Sequence, residues 1–448
     1  MRRHHAIVAA AALTWVTGCF EGGSNQNQRA PGNQDDGVGI SFGDIAVHPS
    51  GLYFLSKAED ELLLGTFESG ETKTISGIRN PDRLAFAHGK STVYVTTVHR
   101  ERVNIAAVEL RTDTKLWEQP VEQPGRSATA AIGPRLSLKV TADDRYVLIV
   151  QSDRIDVLDA ADGVTRKTFL YRRPIVDVDL FGPDSRLLVT LAHEWDGDHV
   201  STPVSFVDLD SDSQHTIDVP NCSDEVAITP SGRFAFLAPT TCARDPVSVI
   251  DLTRERWIRN LPGFGPVAVA PDGEIAIAFL DRTNIDVHLF DDPDQIPSEG
   301  DVRYHVMFID TRTLEFETIA IGNTLPRYAL TPTGNLLLVD SNSWYEEGKL
   351  RLVRVASKEV HSVSGPDVRL DQFVITSDSL HLFLLDDGLY DLSLEAARAE
   401  RVALPFVPTN INITPDDQHL LLRADPTTMW VFRISDMTLA HSMRTSSR

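Results

Sequence analysis

A chain of 448 residues with 42% hydrophobic and 24% charged residues can bury a full core, which excludes disorder of the whole chain. Its 64 acidic against 42 basic residues give a formal charge of −22, which repels polyphosphate and anionic lipid alike. Nucleic acid is thereby excluded as a partner, and any hold on a membrane has to come from something other than electrostatics.

The first residues offer such a hold. Arg2 and Arg3 form a basic start, and Ala6 to Val16 form an apolar run about half the ~20 residues that a spanning helix needs, so residues 1–18 read as an export signal. Val16-Thr17-Gly18-Cys19 resembles a bacterial lipobox, which implies cleavage before Cys19, a lipid on its thiol and location in the cell envelope. Phe20 after that cysteine, in place of Asp, resembles a signal for the outer membrane. The alternative is an ordinary secretory signal with a chance cysteine. Residues 19–38, rich in Gly, Asn, Gln and Pro, read as a flexible tether.

From Gly39 to the end one rhythm runs through the chain. Turn strings occur at "HPSG" (48–51), "AHGK" (87–90), "TADD" (141–144), "GPDS" (182–185), "TPSG" (229–232), "APDG" (270–273), "TPTG" (331–334), "TSDS" (376–379) and "TPDD" (414–417). Pro at the second position presets φ, and Asp, Ser or Gly afterwards supply local hydrogen bonds or accept positive φ. The spacing averages about 46 residues, the period of a propeller blade of four short strands. In one unit, strand A is expected over Val226–Thr229, B over Arg233–Ala238, C over Val247–Leu252 and D over Trp257–Leu261. Such a sheet is apolar on both faces and has to stack on neighbours. The expected fold is therefore all-β: a single closed β-propeller over residues 39–448, with nine blades, or eight if the weakly marked unit around His88 is not a true blade.

"VYVTTV" (93–98) and "VSVIDLT" (247–253) resemble the repeat that names the YVTN family of β-propellers. That family includes surface-layer and envelope proteins and is similar in fold to lactonase-type propellers and quinoprotein dehydrogenases. The resemblance implies a propeller and says little about activity.

In this topology the loop before strand A and the loop between B and C share a face. Cys222 precedes strand A and Cys242 follows strand B of one unit, so both fall on that face and a disulfide between them is expected; two separate buried thiols are the alternative. Four consecutive units carry long B–C loops, at 193–203, 239–246, 282–304 and 341–349, containing Trp195, Trp344 and Tyr345 among many carboxylates. These predict an acidic recognition arc with aromatic anchors, represented by His193, Trp195, Asp196, Arg244, Asp291, Asp292, Trp344, Tyr345 and Glu346. Surface loops that have drifted without a ligand are the other reading.

His193, Glu194, Asp196, Asp198 and His199 are ligand types for a divalent metal, but their spacing matches no closed motif, and no metal site is assigned. Asp208, Asp210 and Asp212 imitate the start of a calcium loop, yet Ser213 and Val219 stand where Gly and Glu are needed, so a C–D turn is expected. There is no Cys-x-x-Cys-His, no phosphate-cradling Gly loop and no Gly-x-Ser-x-Gly elbow, and no cofactor or catalytic residue is predicted. His48, His88, His288 and His305 are scattered, and lone histidines in repeat proteins are more often structural. The functional expectation is a lipid-anchored, non-catalytic envelope scaffold binding a protein or cell-wall glycan. The alternative is a lactonase-like hydrolase or quinoprotein-like oxidoreductase with a metal near the central channel.

Overall fold

Seven of the turns that punctuate the sequence share one hydrogen-bonding scheme among the described residues. In "TPSG" the N–H of Gly232 donates to the carbonyl of Thr229 at 2.7 Å, and the N–H of Phe234 donates to Thr229 Oγ1 at 3.0 Å. Gly232 has φ +65°, and the same place is taken by Gly334 (+74°), Ser379 (+58°) and Asp417 (+55°). A left-handed φ at the fourth position admits Gly or a short polar residue, and Thr at the first position closes the turn with its own oxygen. Each turn folds the chain back, so the β-rich runs on either side pair as strands A and B.

The computed structural model describes residues 38–39, 45–58, 60–67, 70–99, 102–122, 136–182, 186–196, 199–239, 245–292, 295–297, 302–323, 327–340, 350–366, 370, 372–425 and 428–444. They form nine antiparallel sheets, the nine blades of a propeller, as the literal count of turns predicts. The blades span 45–79, 81–121, 137–170, 175–220, 225–261, 264–322, 327–362, 372–402 and 410–444. In blade 5 the four strands are Glu225–Ile228, Phe234–Ala238, Val247–Asp251 and Arg256–Leu261, each within one residue of its expected bounds. The export signal, Cys19 and all of the tether but Val38 lie outside the described residues. Among those described, no helix is long and apolar enough to cross a membrane.

Strand alternation gives each blade two apolar faces, and each face belongs to a different seam. In strand B of blade 5, Ala235 and Leu237 pack towards blade 4, while Phe234, Phe236 and Ala238 pack towards blade 6. The core is accordingly nine clusters, one between each pair of neighbours. The last cluster closes the ring: Phe54 and Phe67 of blade 1 meet Leu421, Met429 and Val431 of blade 9. Among the described residues no blade combines strands from both ends of the chain, so closure there rests on side-chain contacts.

The A–B turns also touch one another and form a collar on one face. His48 Nε2 lies 3.2 Å from the carbonyl of Lys90, Thr333 Oγ1 lies 2.8 Å from Ser379 Oγ, and the N–H of Ser377 donates to Asp417 at 2.7 Å. The unit around His88 is a true blade. Its turn carries neither Pro nor a left-handed residue, and Asp144 of the next turn holds it by accepting from the N–H groups of His88 and Gly89.

Two sheets have an extra strand. In blade 4, Glu194–Asp196 folds back on the ten-residue strand His199–Asp208, raising the B–C hairpin beyond the blade. In blade 2, Val38–Gly39 pairs with the inner strand Pro81–Phe86.

Candidate binding face

The raised hairpin of blade 4 stands on the face opposite the collar. Trp195 and Val200 oppose each other in its ladder, as do Asp196 and His199. Its base is held by both neighbours: Arg173, in the link from blade 3, forms an ion pair with Glu194, and His193 Nδ1 lies 3.5 Å from Cys222 Sγ in the link to blade 5. The buried Cys222 also donates its N–H to Asp245 Oδ2 at 2.7 Å, which ties that link to the end of the B–C loop of blade 5. Cys242 and Arg244 lie outside the described residues, as do Trp344, Tyr345 and Glu346.

The longest insertion, between strands B and C of blade 6, takes another path. Asp281 starts it, accepting from the N–H and hydroxyl of Thr283 at 3.0 and 2.7 Å and from Arg303 Nη2 at 2.6 Å. Burial works against ionisation of Asp281, but the Arg303 and Thr283 hydrogen bonds outweigh it and hold its carboxyl below the usual range. Two short 3-10 turns follow, Arg282–Asn284 and Val287–Leu289, each begun by an aspartate that caps it, Asp281 and Asp286. The loop then runs down the outer wall. Phe290 is buried against Phe316, with ring centroids 5.6 Å apart, and Gln295 Nε2 reaches the Phe316 carbonyl at 3.4 Å. Asp291 pairs with Arg259 of strand D in blade 5 at 3.0 Å, and Asp292 beside it is exposed. These two aspartates therefore belong to the outer wall between blades 5 and 6.

Sequence reasoning did not single out Arg259, Arg303 or Asp245. The Asp-x-Thr pattern at Asp281 was the one local signal that the insertion begins with a capped turn. Asp208 behaves as the turn reading expects: its Oδ1 accepts from the N–H groups of Asp210 and Ser211 at 2.9 and 2.8 Å, while Arg145 of blade 3 takes the Asp210 carboxylate at 2.9 and 3.1 Å.

Along the channel wall, Lys139 of the inner strand of blade 3 lies 3.5 Å from Asp179 of the inner strand of blade 4, both buried. A cation thus already sits beside that carboxylate. Among the described residues no group of three or more His, Cys, Asp or Glu side chains is arranged to hold a metal. His48 is buried in the collar, His305 is buried in strand C of blade 6, and His288 is exposed on the second 3-10 turn.

No known family matches this sequence, and no curated protein does. Solved structures with a similar fold include the Kuenenia stuttgartiensis hydrazine synthase, at 17% identity over 72% of this chain and 100% of that chain, with a TM-score of 0.39. Another is the dihydro-heme d1 dehydrogenase NirN in complex with DHE, at 13% identity over 89% of this chain and 74% of that one, with a TM-score of 0.49. The Dos1 propeller matches at 11% identity over 79% and 93%, with a TM-score of 0.47. Likeness at this level carries no argument about activity.

Proposed function

We propose that the protein is a non-catalytic binding scaffold of the cell envelope, held by a lipid on Cys19, and that it captures a protein partner on the face crowned by the blade 4 hairpin. One observation carries this reading: a raised hairpin whose base is fixed from both sides, by Arg173 to Glu194 and by His193 to Cys222. A rigid scaffold with projecting, braced loops is how many recognition surfaces are built. The formal charge of −22 favours a partner with a basic surface and disfavours carboxylate-rich glycan.

A disulfide between Cys222 and Cys242 belongs to this reading as a brace of the same loop. The burial of Cys222, whose N–H is held by Asp245, supports that role.

The test is chemical cross-linking and affinity capture with the full chain against the double variant Trp195→Ala, Trp344→Ala. Loss of a reproducible protein partner, with unchanged thermal stability, is expected. Equal capture by the variant would overturn the assignment of the face, and enrichment of glycan in place of protein would overturn the partner class. Cys19→Ser is expected to move the protein to the soluble fraction, and continued membrane association would remove the lipid anchor.

A further inference from the structure

The inner strand of a propeller blade presents an edge of N–H and C=O groups to the channel, and such an edge accepts a further strand. In eight of the nine blades the described sheet begins at its own inner strand. In blade 2 it does not: Val38 lies opposite Leu84 and Gly39 opposite Arg83, antiparallel, on the side of Pro81–Phe86 that faces the axis. The same two residues lie against Ser137–Val140, the inner strand of blade 3.

The direction of this short ladder carries information. Pro81–Phe86 runs towards the A–B turn at 87–90, so Phe86 is at the collar end. Passing from Val38 to Gly39, the partner changes from Leu84 to Arg83, which is a step away from the collar. Over these two residues the chain therefore runs away from the collar. Ile45 then begins the inner strand of blade 1, which leads back to the collar turn at 48–51.

We infer that the N-terminal arm is threaded through the axial channel, pinned to blade 2 as a fifth inner strand, and leaves the ring on the collar side. Whatever holds the N-terminus then faces the collar, and the blade 4 hairpin points away from it. Only the nature of that anchor, a lipid on Cys19, rests on the function proposed above; the threading does not.

Two measurements on the full chain test it. Gly39→Cys with Arg83→Cys places two thiols at directly opposed positions, within the reach of a disulfide. Oxidation is expected to give the 39–83 link as the main new product in non-reducing peptide mapping, while Gly39→Cys with Arg327→Cys, across the ring on blade 7, gives none. Two thiols that stay as reactive as those of a free peptide would overturn the threading. The second measurement needs no inner-strand substitution: a photo-crosslinking residue at Asp36 (Asp36→p-benzoylphenylalanine) is expected to attach to the collar turns at 48–51 or 87–90. Attachment to the B–C loops would overturn the direction. Both are repeated with Cys19→Ser: unchanged cross-links in released protein support threading and anchor together, and unchanged cross-links in protein still on the membrane overturn the anchor alone.

Discussion

Arg423 of blade 9 donates from Nη2 to Ser56 Oγ of blade 1 at 3.2 Å, joining residues at opposite ends of the chain, and both side chains are buried. They sit in the closing seam, where no peptide link backs up the packing. Among the described residues this seam has the fewest buried apolar side chains of the nine. Leu421→Ala is therefore expected to destabilise the protein by about 2–5 kcal/mol, from lost burial plus the cavity left behind. Chemical denaturation checks it, and a shift no larger than that of an exposed Leu439→Ala control would show that the seam does not hold the ring.

Asp144 predicts a graded series. It accepts from two backbone N–H groups of blade 2 while adopting φ +54°. Asp144→Ala removes both acceptors and places a methyl-bearing residue in the left-handed region, costing about 1–3 kcal/mol. Asp144→Asn keeps an acceptor and tolerates that φ, so its loss should be the smaller of the two. Urea midpoints in the reverse order would show that the collar contact is idle.

His48 predicts a dependence on pH. Its Nδ1 accepts the Ser50 N–H at 3.0 Å while Nε2 faces the Lys90 carbonyl, an arrangement suited to the neutral ring. Burial pushes its pKa below the ordinary value, and burial does the same to His419, which stacks on Phe67 in the closing seam. A depressed folded pKa means that the unfolded chain binds the proton more readily. The stabilisation is therefore whole above about pH 6.5 and is lost as pH falls through that value towards the folded pKa. Unfolding midpoints should fall between about pH 7.5 and 5 in the parent and fall less in His48→Gln, His419→Asn. Identical slopes would remove the histidines as the cause.

Trp117 of blade 2 donates from Nε1 to the Ala160 carbonyl of blade 3 at 3.1 Å and lies over Gly163, whose φ is +73°. A Cβ at Gly163 would come within 2.5 Å of the indole ring. Gly163→Ala is thus expected to displace Trp117 and to cost about 1–3 kcal/mol from the clash and the left-handed φ. Its signature is a red shift in tryptophan emission absent from Gly182→Ala, where the added methyl meets nothing within 4 Å.

How much of this could be read beforehand depends on how local the causes are. The turn at Thr229–Gly232 encodes itself, because its donors, acceptors and left-handed residue fall within six positions, and so the blade count and the bounds of blade 5 were legible. The turn at His88 was weakly marked because its acceptor, Asp144, belongs to the next blade. The blade 4 hairpin did leave a signal, Asp196-Gly197 between strand-forming residues, which a reading for metal ligands passed over. The course of residues 282–304 left none, since it is decided by Phe290 finding Phe316. Phe290→Ala should accordingly destabilise blades 5 and 6 by about 3–5 kcal/mol, whereas a loop lying free on the rim would tolerate it. Val38–Gly39 was equally hidden, as two residues astride the boundary between the tether and the first repeat.

The closing seam also sets an order of events during synthesis. Blades 1 to 8 can each cover a neighbour as they emerge, but one side of blade 1, with Phe54 and Phe67, finds its cover only in Leu421, Met429 and Val431. That side stays open to water, and to other nascent chains, until nearly the last residue has been translated. A premature stop anywhere before blade 9 would leave both ends of the stack uncovered, so truncated products should expose two apolar blade sides whatever their length.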